Sequence, residues 1–77
     1  MLELVEYLVE KLVPEGDYSV EMRTGVDEAD IVVIVSKKDI GKVIGKQGKI
    51  AKAIRTLVKA ASGHSDTRYN VVIEEKE

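Results

Sequence analysis

Gly45-Lys46-Gln47-Gly48 stands where two apolar helical segments meet, with Val43-Ile44 before it and Lys49-Ile50 after it. Two glycines three apart have no Cβ to hold a phosphate off the backbone, so peptide N–H groups can reach it directly. Lys46, at the loop tip, supplies a mobile positive charge, and Gln47 an amide that can donate to phosphate or sugar. The first amides of the helix that begins at Gly48 point their dipole toward the same anion. Gly41 lies one turn before Gly45 on the same helix face and leaves a second bare patch beside the loop. Ile40, Val43, Ile44 and Ile50 are expected to form an aliphatic floor. The chemistry suited to these residues is the holding of a nucleic-acid backbone.

The formal net charge of −2 argues, taken alone, against a partner built of phosphates. The charges are segregated, however. Residues 1–36 carry −7, residues 37–59 carry +7, and residues 60–77 carry −2. The basic stretch consists of Lys37, Lys38, Lys42, Lys46, Lys49, Lys52, Arg55 and Lys59 against the single acid Asp39, and it contains the glycine loop. A chain with this dipole turns one face toward an anion and repels it elsewhere.

Competing chemistries fit less well. A helix-helix turn using glycines only as caps would be favoured by acidic flanks, whereas lysines at positions 42, 46, 49 and 52 favour nucleic acid. For Arg55 and Lys59, farther from the loop, an ordinary solvated helix face fits equally well. A Walker A loop needs four residues between its glycines and then Lys-Ser/Thr; Gly41 to Gly45 has three, followed by Lys46-Gln47. The Gly41/Gly45 pair is also a GxxxG, but no long apolar span accompanies it. His64, Ser65 and Asp66 are consecutive and cannot take the orientations of a catalytic triad, so a polar turn is expected there. With one His and no Cys, neither a metal site nor a disulfide is expected, and no cofactor is called for. The chain has three Tyr and no Phe or Trp, so base stacking on aromatic platforms is not expected to dominate.

The elements that must position the loop follow from periodicity. Leu4, Val5, Leu8, Val9, Leu12 and Val13 recur at helical spacing with Glu3, Glu6 and Glu10 opposite, predicting an amphipathic helix over residues 2–13 that Pro14 and Gly16 end. Tyr18, Val20 and Met22 alternate as in a half-buried strand, and Gly25 with Asp27 marks a turn. Ile31 to Val35 is a β-branched run suited to a central strand buried on both faces. Ser36-Lys37-Lys38-Asp39 has the form of a capping box, predicting a short helix over about 37–44. A longer helix is predicted from Gly48 to about Ser62, closed by Gly63, with Ile50, Ala53, Ile54, Leu57, Ala60 and Ala61 toward the core and Lys49, Lys52, Arg55 and Lys59 opposite. Tyr69, Val71 and Ile73 alternate in a last strand. The order is αββααβ in one small domain, residues 1–77. The longest apolar run is too short to span a bilayer, and the N-terminal residues lack the basic start of a signal peptide, so a cytoplasmic protein is expected.

Val43-Ile44-Gly45-Lys46-Gln47-Gly48 followed by Ile50, with a helix on each side, resembles the GXXG signature of the KH domain, and the element order is similar to its type II arrangement. The stretch Asp39 to Arg55, in a chain of this length, resembles the small bacterial single-KH RNA-binding proteins of the KhpA type. The resemblance covers essentially all 77 residues. It implies an α+β fold, a three-stranded mixed sheet covered on one face by three helices. It also implies a non-enzymatic protein that clamps about four nucleotides of single-stranded RNA. The residues it puts at the RNA are Gly41, Lys42, Ile44, Gly45, Lys46, Gln47, Gly48, Lys49 and Lys52. An RNA chaperone or post-transcriptional regulator is the implied role, paired with itself or with a larger KH-containing protein of the KhpB (Jag) type. The alternative is a protein-interaction adaptor whose KH fold serves mainly dimerisation.

Overall fold

The β-branched run Ile31 to Val35 sits at the centre of the molecule. A computed structural model describes residues 1–63 and 65–76 and places, in order, α1 (Leu2–Leu12), β1 (Tyr18–Thr24), β2 (Glu28–Ser36), α2 (Ile40–Ile44), a single 3-10 turn (Lys46–Gly48), α3 (Lys49–Ala61) and β3 (Arg68–Lys76). β2 lies between its neighbours, antiparallel to β1 and parallel to β3. The parallel pair needs a long crossover, and α2, the loop and α3 provide it. This is the mixed α+β sheet with αββααβ order that the sequence predicts.

All three helices pack on one face. Ile31, Val33 and Val35 of β2 meet Val5 and Val9 of α1, Val43 of α2, and Ile54 and Val58 of α3, in a core built largely of valine. On the opposite face Val32 is only 1% exposed. Arg23 of β1 reaches Glu21 and, on β3, Glu74, at 3.7 Å in each case, while Asn70 Nδ2 donates to Asp30 Oδ1 at 3.0 Å. Exposed ion pairs of this kind contribute about 0–1 kcal/mol each, so their aliphatic stems matter more as cover for Val32. Burial of β2 on both faces is thus achieved with helices on one side and polar side chains on the other.

Two local expectations are corrected. The capping box does not form: β2 runs through Ser36, which pairs with Lys76 on β3, so Ser36 belongs to a strand and not to a helix start. Lys37–Asp39 form a turn, and α2 begins only at Ile40. The Ser36 hydroxyl donates to Asp39 Oδ2 at 3.0 Å instead of to a free amide. The buried line of α3 is also rotated from the predicted one. Ala51, Ile54 and Val58 are buried, whereas Leu57 is 48% exposed and Ala53, Ala60 and Ala61 are exposed. The sheet covers one line of a broad apolar arc, and α1 covers only part of the remainder, leaving a shallow cleft lined by Leu8, Leu12, Ile50, Ala53 and Leu57. His64, read from the sequence as part of a polar turn, lies outside the described residues.

Candidate nucleic-acid interface

The turn between α2 and α3 is made almost entirely of left-handed backbone. Gly45 has φ 76° and ψ 174°, Gln47 has φ 57° and ψ 23°, and Gly48 has φ 73° and ψ 15°. Gly45 cannot be replaced freely on two grounds. Its conformation is essentially confined to glycine, and a Cβ there would stand 2.6 Å from Ile50 Cγ1. At Gly48 only the conformation demands glycine, since a Cβ would meet nothing within 4 Å. Gln47 holds its left-handed conformation at a cost of roughly 1–2 kcal/mol, the kind of local strain that collects at binding loops.

Three backbone bonds fix the loop: the Gly45 N–H donates to the Gly41 carbonyl at 2.8 Å, Gly48 N–H to Gly45 at 3.2 Å, and Lys49 N–H to Lys46. The amides of Lys46 and Gln47 are not among them. Both side chains are exposed and form no ion pair or side-chain hydrogen bond among the described residues. The helix that follows reinforces the effect. α3 has glycine at its N-cap, no side-chain cap and no acid in its first turn, so neither a cap nor a first-turn carboxylate offsets the positive end of its dipole. An anion placed there would meet backbone donors, a helix N-terminus and a lysine together.

The residues singled out from sequence divide into two groups. Gly41 and Ile44, the latter 36% exposed, lie on the outer side of α2 beside Gly45–Gly48, with Lys52 one turn into α3. Lys42 turns the other way, its Nζ 3.2 Å from Asp39 Oδ1 in a hollow beneath Val13–Gly16. Lys49 borders the apolar cleft between α1 and α3, near Lys11. The expected aliphatic floor is smaller than four residues. Val43 is fully buried in the core, and Ile50 lies behind Gly45 on the α1–α3 cleft, so the open apolar surface is Ile44 with half-buried Ile40.

Asp39 was not among the candidates. It is 5% exposed, accepts from Ser36 and faces Lys42, and its Oδ2 lies where a Cβ on Gly16 would come within 2.9 Å. It therefore links the end of β2 to α2 and lies close against Gly16 of the α1–β1 turn. Its visible signal in the sequence is that it is the lone acid among eight bases of the 37–59 stretch. The hydrogen bond from Lys42, then that from Ser36, holds its carboxyl below the ordinary value of 3.8. A depressed folded-state pKa contributes stability above the unfolded value that is lost as pH falls through the folded one. Asp39→Asn should accordingly lower the urea midpoint near neutral pH. It should lower it progressively less as pH falls from 3.8 toward the lowered folded-state value, because the wild type loses the same contribution over that range; an equal loss at neutral pH and at the acid end of that range would contradict this.

The model of the KhpA/KhpB KH domain family matches residues 2–73. Similar proteins named "RNA-binding protein KhpA" occur in several bacteria. That of Clostridium perfringens is 53% identical over 64 residues, covering 80% of this chain and 84% of the relative. That of Clostridium acetobutylicum is 44% identical, covering 96% and 97%. That of Treponema pallidum is 40% identical, covering 92% and 90%.

Proposed function

Because the chain belongs to the KhpA/KhpB family of KH domains, we propose that it is a non-enzymatic protein that binds single-stranded RNA through the Gly45–Gly48 loop. The observation that carries the reading is the loop itself, in which three positive-φ residues and an uncapped, acid-free helix end stand beside exposed Lys46 and Gln47. Phosphates bind at this corner, and the adjoining bases lie over Gly41, Ile44 and Ile40. Lys52 adds charge along the path. Lys42, held by Asp39, and Lys49, turned toward α1, contribute mainly to the surrounding field.

The whole chain acts as one KH domain, in the cytoplasm, as an RNA chaperone or post-transcriptional regulator. Among the described residues no helix is long and apolar enough to cross a membrane. With so small an apolar floor, affinity for one short site is modest, and pairing with a second KH domain raises it through effective concentration. That partner is a second copy or a larger protein of the KhpB (Jag) type. One observation favours the adaptor reading beside this one: the apolar α1–α3 cleft, which starts behind the loop at Lys49 and Ile50 and reaches half-exposed Leu57, is open to a partner. An adaptor whose loop is incidental keeps its protein partners when the loop is altered, whereas an RNA binder loses its RNA.

Fluorescence anisotropy with single-stranded RNA, matched DNA and duplex RNA at two salt concentrations tests the proposal. Binding should favour single strands and weaken with salt, the logarithm of affinity falling by about 0.7 per phosphate contact per decade of salt. Equal binding of duplex and single strands, or no salt dependence, would contradict it.

A further inference from the structure

Asp39 occupies the N-cap position of α2 and does not cap it. No side-chain capping bond forms there, although aspartate is among the residues best suited to one. Its carboxylate turns instead into the hollow beneath the α1–β1 turn, where Oδ2 accepts from the Ser36 hydroxyl at 3.0 Å and Oδ1 faces Lys42 Nζ at 3.2 Å. Oδ2 also lies 2.9 Å from the place a Cβ on Gly16 would take, so the carboxylate has little room to move. The two members of the ion pair differ in freedom. The Asp39 side chain is 7% exposed and that of Lys42 is 62% exposed. The acid is fixed, and the lysine comes to it on a flexible stem.

Lys42 thereby stands apart from the other lysines around the glycines. Lys46, Lys49 and Lys52 make no ion pair among the described residues, whereas Lys42 is paired. At 100° per residue Ile40, Ile44 and Gly41 fall within an arc of about 100° on α2, and Lys42 lies about 100° beyond Gly41. Gly41 has no side chain to bar the way, so a released Lys42 can swing across that bare patch toward the loop. Its ammonium would then stand beside the apolar strip of Ile40 and Ile44. With Lys42 held at Asp39, that flank stays uncharged, and the free cations Lys46 and Lys52 lie at the loop and on α3.

Building on the reading of the loop as the RNA clamp, we propose that Asp39 is a positioning residue for recognition: it holds Lys42 off the strand, so that phosphates follow the loop and α3 while bases face α2. Lys42 is a phosphate contact held in reserve by a fixed internal acid. The loop works with one cation fewer than its flanks carry.

Salt-dependent anisotropy with a short single-stranded RNA tests it, using the wild type, Asp39→Asn, Lys42→Met, Asp39→Asn/Lys42→Met and Lys46→Asp/Gln47→Asp. Asparagine keeps the shape that fits against Gly16 and removes the charge, and circular dichroism with the thermal midpoint establishes that each variant is folded at the assay temperature. Asp39→Asn should steepen the salt slope by about 0.7, one added phosphate contact, and tighten binding about fivefold at roughly 0.1 M salt. Lys42→Met should change the wild-type slope far less, yet cancel the whole gain in the Asp39→Asn background, where the double variant has the wild-type net charge. An unchanged or shallower slope for Asp39→Asn would overturn the proposal. So would a gain that survives Lys42→Met, which would mark the field of the lost acid, or a fall of about 0.7 from Lys42→Met alone, which would mean that Lys42 already meets RNA. Lysine side-chain NMR of the wild type reads the same point without a variant. The ε-methylene signals of Lys46 should shift on adding RNA while those of Lys42 stay, and equal shifts would overturn the proposal. Undiminished binding by Lys46→Asp/Gln47→Asp would instead overturn the reading of the loop.

Discussion

Gly45→Ala is expected to eliminate measurable RNA binding and to lower stability by about 2–6 kcal/mol. Two independent costs add: roughly 1–3 kcal/mol for forcing a side chain into a glycine-only conformation, and about 1–3 kcal/mol for overpacking. The second arises because the new Cβ would lie 2.6 Å from Ile50 Cγ1 and 2.9 Å from Ile50 Cβ, the latter fixed close to the α3 backbone. A chain of 77 residues has about 4–12 kcal/mol to lose, so the variant either unfolds or reshapes the loop. Gly48→Ala carries only the conformational cost, about 1–2 kcal/mol, since its Cβ would enter open space. Gly41→Ala carries neither. A Cβ there meets nothing within 4 Å at the second position of the five-residue α2, so stability should rise by up to about 0.5–1 kcal/mol while the bare patch beside the loop fills and RNA affinity falls. Urea unfolding of the three variants would contradict the geometry if Gly45→Ala and Gly48→Ala cost the same.

Lys46→Asp with Gln47→Asp should weaken single-stranded RNA binding on the order of a hundredfold without disturbing the fold. Two charge-assisted contacts at ~1.5 kcal/mol each account for that factor before repulsion by the new carboxylates is counted. The fold should tolerate the change because both side chains are exposed and Asp accepts the left-handed conformation of position 47 at least as well as Gln. Lys42→Asp in the same assay should have a much smaller effect on binding, since that lysine already faces Asp39 at 3.2 Å. The comparison separates contact from field, because both variants make the basic stretch more acidic but only one does so at the loop.

How much of this was legible in the sequence depended on whether a signal was local or set by neighbours. The helical spacing of Val5, Val9 and Val13 and the unbroken Ile31–Val35 run are strong periodic signals, and both elements formed where they point. Ser36-Lys37-Lys38-Asp39 is an equally good local pattern for a helix start, yet the parallel pairing of Ser36 with Lys76, forty residues later, claims Ser36 for the sheet. Position in three dimensions overrode a local preference. For α3 the apolar residues wrap so much of the helix that periodicity cannot select which line is buried; the sheet takes Ala51, Ile54 and Val58 and leaves Leu57 half-exposed. At the loop the charge count was plain from the sequence, but not the direction of each charge. Lys42 and Lys49 flank the glycines in sequence and point to different sides in space, one to a buried acid and one to the α1 cleft.

The most direct test of the loop as the RNA site is an amide NMR titration of the isotopically labelled protein with a short single-stranded RNA. The largest shifts should fall on Gly45–Gly48 and the first turn of α3, with smaller ones on Gly41 and Ile44. Shifts concentrated on Leu8, Leu12 and Leu57 of the α1–α3 cleft, or on Arg23, Asp30 and Val72 of the helix-free sheet face, with Lys46–Gly48 unmoved, would contradict it.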